Sequence, residues 1–321
     1  MKTEKIIKPA NGYVMLLLVF LLFFGRITIS YAQIKTEEIL INNQTIQLPG
    51  TLTYTQKKSP LIIWIHGSGG VDRNGNRPKY IQQFRDAINT KNIAFFSYDK
   101  RTANPKNVAF LKDGIYISDF VFDAQEVVNH FKNDKRFTKI ILVGHSQGSL
   151  TAMMALKNVD TYISIAGAGE TIDKILVRQV TAQSKELGKL TESYLKELKE
   201  TGEIKGVDPR LLSLFAKPNQ PFITSWVALN PVEEIKKVKI PTLIINGDKD
   251  LQVQISDAEN LKKVKPDAEL VIIKNMNHVL KDIQKDEDNL KSYYSPEYTI
   301  SSELIVTILN FINKHNSPLG K

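Results

Sequence analysis

The chain has 321 residues, 42% hydrophobic and 24% charged, with no cysteine and a formal net charge of +9. Without cysteine there is no disulfide framework and no thiol to lipidate, so stability must come from a large core. The lysines are scattered, and no basic run is interleaved with aromatics. That pattern argues against nucleic acid as a partner and for a mild solubilising charge.

Residues 1–32 read apart from the rest. Lys2, Lys5 and Lys8 make a positive start, residues 14–24 are an unbroken apolar run of eleven, and Ser30-Tyr31-Ala32 puts small residues at minus three and minus one before Gln33. This is the anatomy of a secretory signal peptide. Cleavage after Ala32 leaves a secreted or periplasmic protein with no stable membrane insertion. The alternative is an uncleaved membrane anchor, but the apolar run falls short of the about 20 residues a span needs. Lys2, Lys5, Lys8 and Arg26 against Glu4 account for +3 of the charge, leaving +6 on residues 33–321. That length suits one α/β domain.

From residue 36 the chain reads as a ladder of strands and helices. Residues 38–41 and 45–48 flank Asn42-Asn43 as a hairpin, and the alternating residues 52–55 predict a further strand. Residues 61–65 (LIIWI) are continuously apolar and predict a buried central strand. A helix over 79–89, a strand over 93–98 and an amphipathic helix over 118–131 follow. Residues 140–143 are a short apolar strand running into Gly144-His145-Ser146-Gln147-Gly148, with an apolar helix over 150–156. Further strands are expected at 162–166, 241–246 and 269–273, a helix at 256–264 and a last helix at 301–314. Ile- and Val-rich strands alternating with helices predict an open, mostly parallel sheet covered on both faces. Between 169 and 238 no strand is apparent over about 70 residues, too long for an ordinary connection. This insertion either caps the sheet or walls a pocket. Its departure from a strand end near Ser146 favours a lid over about 170–238.

Strand, G-x-S-x-G, helix is the context of a nucleophile on a sharp, strained turn, its hydroxyl exposed above a sheet. Side chains at Gly144 or Gly148 would push strand and helix apart. A serine needs a base to take its proton and a carboxylate to orient that base. His130 and His315 lie in helical stretches, His66 belongs to the loop after a central strand, and His145 reads as a packing residue. His278 stands just after the strand ending at 273 and is the expected base. In Gly247-Asp248-Lys249-Asp250, Asp248 is expected to fix the turn and Asp250 to hold His278. An acyl oxyanion needs two backbone donors. Gln147 N–H starts a helix, and Ser68 N–H, with Gly69 as the alternative, lies in the glycine-rich loop His66-Gly67-Ser68-Gly69-Gly70. No G-K-[ST] follows that loop, so it is not a P-loop.

These segments, with Tyr98-Asp99-Lys100-Arg101 and Asn277-His278, resemble the α/β-hydrolase superfamily over nearly all of residues 33–321. The resemblance is to serine hydrolases of the esterase and serine aminopeptidase-like kind. It implies an eight-stranded, mostly parallel sheet with one antiparallel edge, helices on both faces and a helical lid insertion. It also implies that Asp99 and Arg101 hold a loop rather than react. Thr102 departs from a glycine common at that point, so the loop over 103–107 is expected to shape the pocket differently. The expectation is an exported serine hydrolase with the catalytic set Ser146, Asp250 and His278, acting on small-molecule carboxylic esters without metal or organic cofactor. Alternatives are an aminopeptidase or amidase, a thioesterase, or a non-catalytic binding protein on the same scaffold.

Overall fold

The computed structural model describes residues 33–112 and 114–316. The segment read as a signal peptide lies outside the described residues. Eight strands form one sheet: β1 (Lys35–Asn43), β2 (Ile46–Tyr54), β3 (Ser59–Ile65), β4 (Ala94–Tyr98), β5 (Phe137–His145), β6 (Thr161–Ile165), β7 (Thr242–Gly247) and β8 (Glu269–Ile273). Their order in space is β1-β2-β4-β3-β5-β6-β7-β8. β2 runs antiparallel to both β1 and β4, and every other pairing is parallel. The antiparallel strand is therefore one in from the edge, not the edge itself.

Two strand predictions change. Residues 45–48 and 52–55 form one continuous strand, β2, instead of two. Proline lacks an N–H and ordinarily interrupts a ladder that needs it. Here only the Pro49 carbonyl is used, accepting from Asp99 N–H at 2.8 Å. The helix placed at 150–156 is α3 (Gln147–Met154), which begins on the residue after Ser146; α1 (Tyr80–Asn89) and α2 (Ile117–Phe131) precede it.

The alternation of side chains along β3 sorts the core into two layers. Leu61, Ile63 and Ile65 face α2 and α3, against Phe120, Ala124, Val127 and Leu150. Ile62 and Trp64 face α1, against Ile81, Phe84 and Ile88. The second layer is completed by the last helix, which contributes Leu304, Ile308 and Phe311. A central strand covered on both sides must be apolar at every position, which is why residues 61–65 carry no polar residue.

Between β6 and β7 the chain carries α4 (Ile172–Gln183), α5 (Lys185–Thr201), α6 (Leu212–Phe215), α7 (Gln220–Val227) and α8 (Pro231–Lys236). α9 (Ile255–Val264) follows β7, α10 (Asn289–Ser292) lies beyond β8, and α11 is the last helix, Ser302–Asn316. α5 starts on a Ser184 cap, whose hydroxyl accepts from Leu187 N–H at 3.3 Å, and ends at Gly202 in the left-handed region. Its apolar stripe, Leu195 and Leu198, is buried with Leu176 and Val180 of α4. No helix among the described residues is long and apolar enough to cross a membrane.

Candidate active site

Ser146 sits between β5 and α3 with φ 54° and ψ −122°. A non-glycine residue is strained there, and surrounding structure has to impose the conformation. The imposition comes from close packing. A Cβ on Gly144 would lie 2.3 Å from the Gly148 carbonyl oxygen, and one on Gly148 only 2.2 Å from the Ile65 carbonyl oxygen. Ser146 N–H is held by the Ile165 carbonyl at 2.9 Å, so β6 fixes the turn from the other side. The first turn of α3 is tied down by a buried hydroxyl cluster. Ser149 Oγ lies 2.8 Å from the Tyr162 hydroxyl and 2.7 Å from Ser164 Oγ.

Asp250 and His278 come from the loops after β7 and β8, two neighbouring parallel strands. His278 Nδ1 donates to Asp250 Oδ2 at 2.8 Å, with both side chains buried. The other carboxylate oxygen accepts from Gln252 N–H at 2.7 Å and Val253 N–H at 2.9 Å. Asp250 is thus aimed by its own loop, and because a carboxylate only accepts, the proton of this bond sits on His278 Nδ1. Asp248 does different work: its Oδ1 accepts from Asn275 N–H at 2.6 Å and stitches the two loops together. Asn277 braces the histidine loop by donating to Asn289 Oδ1 at 3.0 Å and Ser292 Oγ at 2.7 Å.

His145 links the serine turn to the histidine loop. Its Nε2–H donates to the His278 carbonyl at 2.8 Å, and its ring stacks on Trp64 with centroids 5.9 Å apart. Sequence reading took it for packing alone. Burial, with His278 nearby, lowers its pKa to about 3, so it is neutral in ordinary buffers and its Nε2–H stays a donor. His66, likewise buried, is lowered to about 4 and donates through Nε2 to the Tyr98 carbonyl.

The loop after β3 crosses next to Ser146, since a Cβ on Gly67 would come within 3.2 Å of the serine Cβ. Neither Ser68 N–H nor Gln147 N–H donates to an acceptor among the described residues. Both lie beside Ser146 in the fold or the chain. Ser68, Gly69 and Gly70 line a cavity of about 400 Å³ together with Lys100, Ile115, Phe120 and, from the insertion, Leu214, Phe222 and Ile223.

Asp99 and Arg101 are structural tethers. Asp99 accepts two bonds from the Arg73 guanidinium, at 3.0 and 2.9 Å. Arg101 grips buried Asp123 of α2 at 2.7 and 2.8 Å. Thr102 donates to the Gly69 carbonyl at 3.1 Å, joining its loop to the glycine loop. Lys100, between the two tethers, was given no role by sequence reading. It is 4% exposed and donates to the Gly67 carbonyl and Gln147 Oε1, each at 2.7 Å. Burial pulls its ammonium down to about 7, with Asp123 pulling the other way. The available signal was a second charged residue just beyond a fully buried strand. Among the described residues no cluster of three or more His, Asp or Glu could hold a metal ion.

Strand order, a serine on a strained strand-to-helix turn, and loops converging at the strand ends define an α/β hydrolase. The chain belongs to the BD-FAE family, whose model matches residues 46–264. No curated protein sequence matches it. Among solved structures it is similar to Est1E from Butyrivibrio proteoclasticus, at 19% identity and a TM-score of 0.55, covering 86% of this chain and 99% of that one. It is similar to the Pyrococcus furiosus esterase Pf2001, at 15% identity and a TM-score of 0.58, covering 90% and 94%. It is also similar to a dienelactone hydrolase from Anabaena variabilis, at 15% identity and a TM-score of 0.54, covering 88% and 98%. The chain is an esterase-like α/β hydrolase.

Proposed function

We propose that this chain is an exported serine hydrolase that cleaves carboxylic esters through an acyl-enzyme on Ser146. The observation that carries the reading is the buried 2.8 Å bond from His278 Nδ1 to Asp250 Oδ2, on a histidine loop bonded to the residue before Ser146. His278 Nε2 takes the proton of Ser146 Oγ as that oxygen attacks the acyl carbonyl, and Asp250 stabilises the imidazolium. Ser68 and Gln147 N–H groups receive the oxyanion. The leaving alcohol is protonated by His278, and a water repeats the cycle to release the acid. In this reading the insertion is a lid, and its Leu214, Phe222 and Ile223 wall the cavity that takes the apolar part of the ester. Ferulic acid is bound in a structure of Est1E, and Phe120 and Phe222 both line the cavity, so aromatic acyl esters join the substrate panel.

Export rests on the positive start, the apolar run over 14–24 and the cleavage motif ending at Ala32. The test is Ser146→Ala assayed on p-nitrophenyl esters, with a fluorophosphonate probe on the parent chain. Loss of both turnover and labelling in a variant with unchanged melting temperature is the expected result; retained activity sinks the mechanism. Mass spectrometry of exported protein is expected to find Gln33 at the N-terminus.

A further inference from the structure

Lys100 is a buried cation without a carboxylate partner within ion-pair distance among the described residues. Its neighbour Arg101 holds Asp123, and Asp99 holds Arg73. A cation kept only to tie elements together would gain most from a carboxylate. Lys100 instead spends two of its hydrogens on neutral oxygens, the Gly67 carbonyl and Gln147 Oε1, each at 2.7 Å, with the Phe120 ring 4.1 Å away.

Those two acceptors belong to the two segments that carry the free backbone donors. The Gly67 carbonyl and Ser68 N–H are the two ends of one planar unit, and no peptide bond among the described residues is cis. In a trans peptide they point in opposite directions, so whatever binds the carbonyl also sets the aim of the N–H. An ammonium on the oxygen also draws electron density along the amide and makes the N–H a stronger donor. Gln147 supplies the second N–H from its backbone, and the same ammonium anchors its side chain.

We propose that Lys100 is a positioning residue of the oxyanion site. Its ammonium holds the Gly67–Ser68 peptide and Gln147, so that Ser68 N–H and Gln147 N–H converge on the oxygen that gains charge during acyl transfer. The proposal rests on Ser146 as nucleophile and on these two donors. Lys100 lines the cavity beside these donors, and its role in this proposal runs through the two oxygens it holds.

The test compares the full chain with Lys100→Met on a p-nitrophenyl ester. It measures kcat, KM, melting temperature and inhibition by a trifluoromethyl ketone, whose hemiketal oxygen mimics the oxyanion. One lost oxyanion donor costs on the order of 10²–10³ in kcat, so misaimed donors are expected to cost about 10- to 100-fold. KM is expected to move less than about threefold, because the effect is confined to the transition state. Ketone affinity is expected to weaken in parallel with kcat. Lys100→Gln, which keeps one donor, is expected to recover part of the loss, and it carries the test where Lys100→Met fails to fold. A folded variant with kcat within about threefold of the parent overturns the proposal, as does a loss borne by KM with ketone affinity unchanged. Ser146→Ala separates the two levels. If it stays active, the nucleophile assignment fails. If it is inactive while both Lys100 variants are normal, only the role of Lys100 fails.

Discussion

The ends of the central strands and the helical insertion use charge in opposite ways. At the strand ends the charged groups are buried and matched: Asp250 to His278 and two backbone amides, Arg101 to Asp123, Lys100 to two oxygens. In the insertion most ion pairs face solvent, as in Lys196 with Glu200 and Arg210 with Glu186, while the apolar sides turn inward; Arg178, which reaches buried Asp257, is the exception. Exposed pairs contribute little, since water screens them. A buried donor or acceptor that loses its partner costs its full desolvation. The strand ends are therefore intolerant of change and suited to geometry that must be held. The insertion is tolerant and suited to shaping what enters.

The sharpest way to break this comparison is at Asp250. Asp250→Asn cannot accept the His278 proton in the same way, and activity is expected to fall by about 10⁴-fold at constant KM. A kcat within tenfold of the parent removes Asp250 from its role. Gly148→Ala tests the packing that imposes the strained serine. Its Cβ has only 2.2 Å to the Ile65 carbonyl, so destabilisation at the upper end of overpacking effects, about 3 kcal/mol, is expected in urea unfolding. Unchanged stability would mean the strand and helix can separate freely.

Phe222→Ala probes the tolerant side. Phe222 packs edge-on against Phe120 with ring centroids 5.7 Å apart, and both line the cavity. Its loss is expected to raise KM roughly three- to tenfold for apolar esters and leave kcat nearly unchanged. A large kcat loss instead would place the insertion within the chemistry. The smallest effect concerns pH. His66 and His145 titrate near 4 and 3 in the fold, below the unfolded value of 6.5. Between those values the unfolded chain binds more protons, so their contribution is present above pH 6.5 and is lost as pH falls toward 4 and 3. Melting temperature is expected to drop across that window, and less steeply in His66→Asn. An identical slope in that variant would show that His66 takes no part.

Much of this was legible because it is local. Period and composition identify β3 and α2, since a strand buried on both faces must be apolar throughout and an amphipathic helix must repeat every three or four residues. That residues 45–48 and 52–55 join as one strand was not legible, because the cost of Pro49 between them depends on whether a partner needs the proline N–H. The residues now placed at the strand ends, Ser146, Asp250, His278, Ser68 and Gln147, were visible because turn chemistry leaves a mark in short sequence. Lys100 and His145 left no such mark. A lysine after a strand is ordinarily exposed, and only its burial against Gly67 and Gln147 gives it a reason. A histidine on a tight turn acquires a partner only when a loop 133 residues later folds back over it.

The sequence by itself determined the alternation of strands and helices, the strained turn and the kinds of side chain gathered at the strand ends. Hydrophobic period and glycine spacing act within a few residues, and they survive without knowledge of the fold. Only the tertiary structure decided which strands are neighbours, which oxygens the buried cation holds and how the insertion meets the glycine loop. Those depend on contacts between residues distant in the chain, and a buried polar group takes its meaning from the partner that packing brings to it.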